Sequence, residues 1–335
     1  MSNWSESLTF KAVRISLDDE GKASRAIVER KAPELPEGEV LIKVKYAALN
    51  FKDGLSANGN KGVTRNFPHT PGIDAAGTVV ESTHGDIKAG DEVIVTSYDL
   101  GMNTDGAFAE YISVPAEWVL PLPSSMSMKE SMIIGTAGLT AGIGLWKMEQ
   151  GGQKPENGKI LITGATGGVG SLAVSIFSKA GYTVAASTGK MEEADYLKSL
   201  GAEEVIDRNT LSEENKRPML KPAFGGAYDT VGGTTLSNVL KQVGYGANVA
   251  ICGMVTGPNF DANVFPFILR NINLLGVDSA ELPLKWRKIV WENLANDWKP
   301  TNLEEIAKVV TLEEIDPYFD AILKGEVKGR VLVAF

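Results

Sequence analysis

The pattern of hydrophobic and polar positions divides the chain into two kinds of sequence. In residues 1–125, short stretches alternate apolar and polar side chains, as half-buried strands do, and Gly and Pro separate them. Many short strands with such turns predict a barrel or a folded-over sheet rather than a helical domain. The predicted strands are Phe10–Ile15, Val40–Tyr46, Ile73–Val80, Glu92–Thr96, Phe108–Val114 and Trp118–Leu120.

From about Met126 onward, helical and strand-like stretches alternate. Six strands with helices between them predict a doubly wound parallel sheet, an α/β fold. The last alternating stretch, Arg330–Phe335, has no place in that sheet, so we expect it to return to the first domain. The prediction is a β-rich domain of residues 1–125 and 296–335, into which a sheet domain of residues 126–295 is inserted. The sheet strands are Ile160–Ile162, Tyr182–Ala186, Glu204–Ile206, Tyr228–Val231, Ala247–Ile251 and Ile272–Val277, and later helices are Leu284–Trp298, Leu303–Val309 and Leu312–Leu323.

The clearest local signal is a glycine-rich turn between the first two sheet strands. Gly164, Gly167, Gly168 and Gly170 follow the apolar run Ile160–Ile162, and apolar residues at helical spacing come next. A helix that begins in such a turn directs unpaired N–H groups and the positive end of its dipole at an anion. Because strand, turn, helix and second strand fit within about 30 residues, the pattern favours a dinucleotide pyrophosphate site over an ordinary turn.

The end of the second strand indicates which dinucleotide binds. NAD sites usually carry an Asp or Glu about 20 residues after the turn, which bonds the ribose 2′-hydroxyl. Here residues 187–190 read Ser-Thr-Gly-Lys, and the first carboxylate after them belongs to Glu192. Hydroxyls and an ammonium suit a 2′-phosphate, and Arg208 adds a second cation. A lysine taken alone is usually a solvated surface residue, but the position of Lys190 favours NADPH over NADH.

Composition narrows the class of protein. The chain has 335 residues, of which 43% are hydrophobic, as expected for a globular protein of two domains. Its net charge of −9 argues against nucleic acid or an anionic membrane as the main partner. No apolar run approaches the roughly 20 residues of a membrane span, and Met1–Phe10 lacks the pattern of a signal peptide. Cys252 is the only cysteine, which favours a reducing compartment, most simply the cytoplasm.

Several motifs resemble those of the medium-chain dehydrogenase/reductase superfamily, and their order and spacing agree over essentially the whole chain. They are Asn50-Phe51-Lys52-Asp53, Pro71–Gly77, Gly90–Val93 and Gly135–Ala141. Pro266–Asn271 followed by Gly276–Ser279 resembles one narrow branch, which contains NADPH-dependent acryloyl-CoA reductases, often named quinone oxidoreductases. The resemblance implies a GroES-like catalytic domain around a Rossmann domain, no zinc, and usually a dimer.

Two alternatives within the oxidoreductases can be tested on the residues. Zinc members of the superfamily carry a cysteine where Asn50 stands and a His-Glu pair where Ile73-Asp74 stands, and they hold a structural zinc on four cysteines. With one cysteine and two histidines, this chain is predicted to bind no metal. The turn also fits short-chain dehydrogenases, but those need a tyrosine four residues before a lysine. None of the eight tyrosines meets that requirement, so this alternative fails.

The resemblance also carries family roles onto individual residues. It implies that Phe51 packs against the nicotinamide and that Arg270 either meets phosphates of a CoA ester or makes a salt bridge or dimer contact. The pyrophosphate turn would be Thr166, Gly167, Gly168 and Val169. The 2′-phosphate would contact Thr188, Gly189, Lys190 and Arg208. The nicotinamide half would rest on Met254, Ile268 and Ser279, which are expected at the carboxyl ends of strands.

Reduction of an activated C=C bond without a metal ion requires the active site to support three events. Hydride reaches the β-carbon of an unsaturated thioester, negative charge gathers on the carbonyl oxygen, and the α-carbon takes a proton. Asn50 is predicted to donate to that oxygen, and Lys52 either adds a cationic donor or is simply solvated. Asp53 either orients these groups, relays a proton, or caps a turn before Gly54.

The sequence therefore predicts NADPH-dependent reduction of a short-chain enoyl-CoA, such as acryloyl-CoA to propionyl-CoA. The substrate rests on the resemblance alone. A quinone or enone reductase that uses NADPH is one alternative, and an NADPH-binding protein without turnover is another. We also expect a homodimer joined through Ile272–Val277, because that edge is apolar and otherwise unpaired.

Overall fold

The computed structural model describes residues 8–32 and 39–335, so residues 1–7 of the stretch inspected for a signal peptide lie outside the described residues. The described chain forms two compact units. Unit 1 comprises the residues up to Thr136 with Ala280–Lys288 and Leu303–Phe335, and unit 2 comprises Ala137–Ser279 and Ile289–Asn302. The domain boundaries near residues 125 and 296 remain a prediction.

The strands and helices have the following bounds. The strands are β1 (Thr9–Leu17), β2 (Ala23–Lys31), β3 (Val40–Ala48), β4 (Asp74–Ser82), β5 (Glu92–Thr96), β6 (Tyr111–Val114), β7 (Val119–Pro121), β8 (Ile160–Ile162), β9 (Val184–Thr188), β10 (Ala202–Asp207), β11 (Gly226–Asp229), β12 (Asn248–Ile251), β13 (Asn273–Gly276), β14 (Ala307–Val310) and β15 (Arg330–Ala334). The helices are α1 (Phe51–Ala57), α2 (Met128–Gln150), α3 (Gly168–Lys179), α4 (Ala194–Ser199), α5 (Asn209–Ser212), α6 (Gly233–Gln242), α7 (Phe265–Arg270), α8 (Leu284–Ala295), α9 (Leu303–Ile306) and α10 (Asp316–Leu323).

Unit 1 is β-rich, as the alternating pattern predicts. β1 and β2 pair as an antiparallel hairpin. Among the described residues, a seven-stranded sheet has the order β14-β15-β3-β4-β5-β7, and β6 also pairs with β3. Inward side chains such as Ile42, Val44 and Phe319 form its core. β15 pairs antiparallel with β3, with Leu332 opposite Ala48, which confirms that the last strand returns to the first domain.

Unit 2 contains the predicted doubly wound sheet. Within the described chain its six strands have the order β10-β9-β8-β11-β12-β13, and all neighbours are parallel. All three residues of β8 are completely buried, which explains their unbroken apolar run. The winding direction reverses between β8 and β11, and dinucleotides bind at the carboxyl ends of the strands beside such a reversal.

Three elements differ from the prediction. β2 was not predicted, because most of its side chains are exposed and its alternation is weak. α1 was not predicted either, since it has only seven residues and contains Gly54. The predicted helix Leu303–Val309 is wrong in its second half, where β14 pairs parallel with β15 and this pairing overrides the local helical pattern. In the described part of the chain, none of the helices has the length and apolarity required to cross a bilayer.

Candidate functional site

In unit 2, the glycine-rich turn lies between β8 and α3, as predicted. Gly167 donates its N–H to the Gly164 carbonyl at 3.0 Å, which closes the turn. Gly167 is also the N-cap of α3, so the helix begins at Gly168 and Val169 lies in its first turn. This first turn contains no acidic residue. The N–H groups at this helix end can therefore receive a pyrophosphate without repulsion from a neighbouring carboxylate.

The residues predicted to hold a 2′-phosphate come together at the end of β9. The Thr188 hydroxyl lies 3.1 Å from the Thr166 hydroxyl and accepts the Lys190 N–H at 3.0 Å. The Arg208 N–H donates to the Thr188 carbonyl at 2.9 Å. The Arg208 side chain then lies across Gly189, where a Cβ would be 2.6 Å from the guanidinium Nε. Gly189 is therefore required for Arg208 to lie here. We call Thr166–Val169, Thr188–Lys190 and Arg208 the phosphate cradle.

The carboxyl edge of the sheet is fixed by a residue that the sequence did not single out. Asp229, at the end of β11, is fully buried and accepts the Thr163 hydroxyl at 2.6 Å and the Gly232 N–H at 2.7 Å. These bonds tie the turn after β8 to the loop after β11. Burial raises the pKa of Asp229, while the Thr163 and Gly232 donors oppose the shift. A strand-terminal Asp is the signal that could have identified it.

The three residues predicted to contact the nicotinamide half have different positions. Met254 follows β12 and is 69% exposed, at the carboxyl edge as expected. Ser279 follows β13 and accepts the Thr140 hydroxyl at 2.8 Å. Ile268 was also predicted at the carboxyl end of a strand, but it lies within α7, between β12 and β13. Contact of these three residues with a cofactor remains a prediction.

In unit 1, a group of polar side chains is buried at the ends of β3, β4 and β15. The Asn50 amide donates to Asp74 Oδ2 at 2.9 Å and to the Ala48 carbonyl at 3.1 Å, so both of its hydrogens are engaged. Arg330 donates to Asn50 Oδ1 at 3.1 Å and lies 3.5 Å from Asp74 Oδ2. Asp74 and Arg330 are 0% and 3% exposed. The sequence identified Asn50 but not its partners Asp74 and Arg330.

Thr136 completes this group because α2 is interrupted at Gly135. Gly135 has φ 49° and ψ −157°, and a Cβ there would be 2.5 Å from Asp74 Oδ2. The break turns the Thr136 N–H and hydroxyl toward Asp74, with distances of 2.8 and 2.5 Å. The Thr136 oxygen is also 2.7 Å from Ser97 Oγ. Burial raises the pKa of Asp74, and Arg330 and Thr136 oppose that shift.

Asp53 lies within the same buried region and holds the backbone around it. Its carboxylate accepts the Asn50 N–H at 2.7 Å and the Gly72 and Ile73 N–H groups at 3.0 Å each. Complete burial raises its pKa to about 7, an effect that these backbone donors oppose and the nearby Asp74 charge reinforces. The hydrogen bonds show a capping role for Asp53, and its catalytic role remains a prediction. We call Asn50, Asp53, Asp74, Thr136 and Arg330 the buried polar cluster.

The remaining predicted residues of unit 1 lie at the start of α1. Lys52 is half-buried, and Phe51 is 51% exposed. An aromatic side chain this open is compatible with stacking on a ligand ring, but its contact with the nicotinamide remains a prediction. The structure therefore brings Asn50 and Asp53 into one network and leaves Phe51 and Lys52 at its periphery.

The buried polar cluster does not fit a catalytic zinc ion. Zinc sites in proteins combine thiolate, imidazole and carboxylate ligands, whereas this cluster offers an amide, a hydroxyl and carboxylates. The Arg330 guanidinium beside Asp74 would also repel a second cation. Among the described residues, no group of three or more His, Cys, Asp or Glu side chains is placed to hold a metal ion.

Comparison with known proteins identifies the protein family to which the chain belongs. Residues 36–124 match the family model described as "Alcohol dehydrogenase GroES-like domain". Residues 168–296 match the model described as "Zinc-binding dehydrogenase". The chain belongs to the medium-chain dehydrogenase/reductase superfamily of oxidoreductases.

Close relatives locate the chain more narrowly within the superfamily. It is 42% identical to acrylyl-CoA reductase AcuI of Ruegeria pomeroyi, over 97% of this chain and 98% of the relative. It is 47% identical to YhfP of Bacillus subtilis, which carries a quinone oxidoreductase name, over 90% and 91% of the two chains. The crystal structure of the yhdH oxidoreductase from Salmonella enterica in complex with NADP has a TM-score of 0.94 at 40% identity, covering 97% of this chain and 99% of that one. The chain belongs to the branch of the superfamily that contains acryloyl-CoA reductases and proteins named quinone oxidoreductases.

Proposed function

We propose that this protein is an NADPH-dependent reductase of short-chain enoyl-CoA esters, with acryloyl-CoA as the favoured substrate. The observation that supports it most is the phosphate cradle, which has two cationic residues and no carboxylate among its members, in a chain 42% identical to an acrylyl-CoA reductase. A solved relative, B. subtilis yhfP, was crystallised with NAD bound, so cofactor preference needs its own test.

In this proposal, individual residues of the chain have the following roles in cofactor binding and catalysis. The cradle holds the dinucleotide, whose reduced nicotinamide supplies the hydride. Thr166–Val169 receive the pyrophosphate, and Lys190 and Arg208 neutralise the 2′-phosphate. Asn50 stabilises the charge that develops on the thioester carbonyl oxygen, and Lys52 contributes a positive charge from the first turn of α1.

Asn50 can serve as a donor only if it releases one of its present acceptors. The bond to the Ala48 carbonyl, at 3.1 Å, is the easier one to exchange, because the bond to Asp74 is charge-assisted and shorter at 2.9 Å. Asp74, Thr136 and Arg330 would then keep the rest of the side chain fixed while the carbonyl oxygen takes the released hydrogen. On this proposal, Asn50→Ala lowers kcat and leaves NADPH affinity nearly unchanged.

The deciding experiment mixes protein, NADPH and acryloyl-CoA and follows the absorbance of the reduced nicotinamide. Oxidation with the thioester, and far less with a quinone, supports the enoyl-CoA assignment. Turnover only with quinones would favour the second candidate function, which rests on the name of the YhfP relative at 47% identity. Tight NADPH binding without turnover on either substrate would contradict both.

The exposed edge of unit 2 supports a homodimer. In the sheet as described, β13 is an edge strand. Beside it in sequence, α7 leaves large apolar side chains exposed, with Phe265, Ile268 and Leu269 at 45%, 69% and 55%. An unpaired edge next to an apolar surface suits pairing with a second copy. Gel filtration should give a dimer volume, and a monomer volume would contradict the proposal.

The cysteine content supports a reducing compartment such as the cytoplasm, because Cys252 is the only cysteine in the sequence.

A further inference from the structure

Unit 2 contains a cavity that shares no residue with the phosphate cradle. Its volume is 620 Å³, within the range of small-molecule sites. One wall is the segment 214–217, a second is the face of α6 that carries Thr234, Ser237, Asn238 and Lys241, and the third is the loop 259–263. The loop is held against α6 by a bond from the Asp261 N–H to the Ser237 hydroxyl at 3.0 Å.

The residues that line this cavity include one with a buried acceptor atom that has no described donor. Asn238, on α6, is 3% exposed. Its amide nitrogen donates to the Leu211 and Glu213 carbonyls at 2.8 and 2.6 Å, which fixes the orientation of the side chain. No described residue donates to the other atom, Oδ1. A buried carbonyl oxygen of this kind is satisfied by a ligand that carries an N–H or O–H group.

The rim of the cavity supplies positive charge. Lys216 and Arg217 are both exposed, and neither forms an ion pair with any described residue. Lys241 is already engaged, since its ammonium donates to the Asn215 carbonyl at 2.5 Å. Glu214 and Asp261 also line the cavity, so its character is mixed rather than uniformly basic. A ligand that suits it has a compact anionic group at one end and a neutral donor at the other.

Arg270, which the sequence offered either as a contact for CoA phosphates or as a salt-bridge or dimer residue, is bonded to three backbone carbonyls. Its guanidinium donates to the carbonyls of Lys241, Val243 and Leu220 at 2.8, 3.0 and 2.5 Å. It therefore joins the end of α6 to the segment that follows Arg217. Arg270 holds in place the backbone that carries the two rim cations.

We propose that this cavity binds the phosphorylated adenosine of the CoA substrate. An adenine amino group satisfies Asn238 Oδ1, the adenine ring packs on the partly buried Phe260, and Lys216 and Arg217 bind the phosphates. The wall formed by α6 begins at Thr234, which follows directly on the loop at the carboxyl end of β11. The inference rests on the proposed function for its choice of CoA over a free nucleotide.

The kinetic test compares acryloyl-CoA with acryloyl-pantetheine, which has the same reacting group but no adenosine phosphate. The double variant Lys216→Glu/Arg217→Glu should raise KM for acryloyl-CoA by about tenfold or more and leave kcat/KM for the pantetheine thioester unchanged. The matched control Lys88→Glu/Lys179→Glu makes the same change of net charge at two exposed lysines away from the cavity, and both kinetic values should stay near wild type. Equal effects on both substrates, or none on either, would overturn the proposal.

A binding test separates this inference from the proposed function. Isothermal titration of adenosine 3′,5′-bisphosphate into NADPH-saturated protein, whose cradle is filled, should show one site that the Lys216→Glu/Arg217→Glu variant loses. That result supports the cavity even if no thioester is reduced. No binding to the wild type would overturn the cavity as a nucleotide site. Equally tight binding of ATP, with an unchanged KM for acryloyl-CoA in the variant, would identify a free-nucleotide site and overturn the CoA assignment.

Discussion

The phosphate cradle in unit 2 and the buried polar cluster in unit 1 are both built at strand ends, but they are held together differently. The cradle consists of backbone N–H groups, hydroxyls and cations from neighbouring loops of one sheet. The cluster joins side chains that are far apart in sequence, such as Arg330 and Asn50, whose hydrogen bond spans 280 positions. The cradle can therefore lose a charge and remain folded, whereas each charge in the cluster is part of the core of unit 1.

The largest expected effect comes from removing the counter-ion of the cluster. Arg330→Leu leaves Asp74 buried beside Asp53 without a positive partner and should lower the free energy of unfolding by about 3–5 kcal/mol. The control is Arg25→Leu, because Arg25 pairs with the more exposed Asp316 and Asp320 and should cost about 1 kcal/mol or less. Denaturant unfolding measures both. Equal losses of unfolding free energy in the two variants would show that the burial of an ion pair does not determine the cost of breaking it.

A pH dependence should follow from Asp53. Its pKa is about 7 in the folded chain, against 3.8 as the ordinary value, so between these the folded state binds more protons than the unfolded state. Stability should therefore fall as pH rises from about 4 to about 7, by up to about 4 kcal/mol from this group. Asp74, whose pKa is also raised, acts in the same direction.

The Asp53→Asn variant isolates this contribution. It loses some stability at every pH, because its amide N–H would meet the Asn50 N–H that the carboxylate now accepts. The difference in unfolding free energy between pH 5 and pH 8 should nevertheless be smaller than in the wild type. An unchanged difference would assign the pH dependence to other groups.

Thr136 tests whether the cluster depends on its hydroxyl. Thr136→Val removes the donor to Asp74 Oδ1 and should cost about 1–3 kcal/mol of stability. If Asp74 positions Asn50 for catalysis, kcat should fall while KM for NADPH stays constant. Thr136→Ser keeps the hydroxyl and should restore kcat, and failure to do so would mean that the methyl group rather than the hydrogen bond matters.

A substitution in the phosphate cradle is expected to have the smallest effect on folding. Its effect should appear in cofactor binding instead. Lys190→Glu should raise KM for NADPH by about 10–100-fold and leave KM for NADH nearly constant, because the new carboxylate repels only the 2′-phosphate. The unfolding free energy should change little. Lys179→Glu, at the exposed end of α3, is the control and should affect neither cofactor. A parallel rise in both KM values would contradict the 2′-phosphate role.

The same contrast explains what could be predicted from the sequence. The sequence predicted that the residues of the cradle lie together, because Thr166–Val169 and Thr188–Lys190 lie in two short segments whose strand and helix patterns are strong. That they bind a dinucleotide remains a prediction. Within the cluster only Asn50 and Asp53 were predicted. Thr136 depends on a break in α2 at Gly135, and Arg330 depends on the pairing of β15 with β3. Neither contact leaves a local pattern, because both arise from tertiary packing.

The pairing of β15 with β3 has a consequence for how the protein is made. During synthesis β3 and β4 emerge long before β15, and Arg330 follows Asp74 by 256 positions. At about 5–20 residues per second, Asp74 would wait tens of seconds for its counter-ion. The sheet of unit 2, whose strands all lie between Ile160 and Gly276, is complete before that. A nascent chain would therefore present a finished sheet in unit 2 while the β-rich unit still lacks β15 and the counter-ion of Asp74.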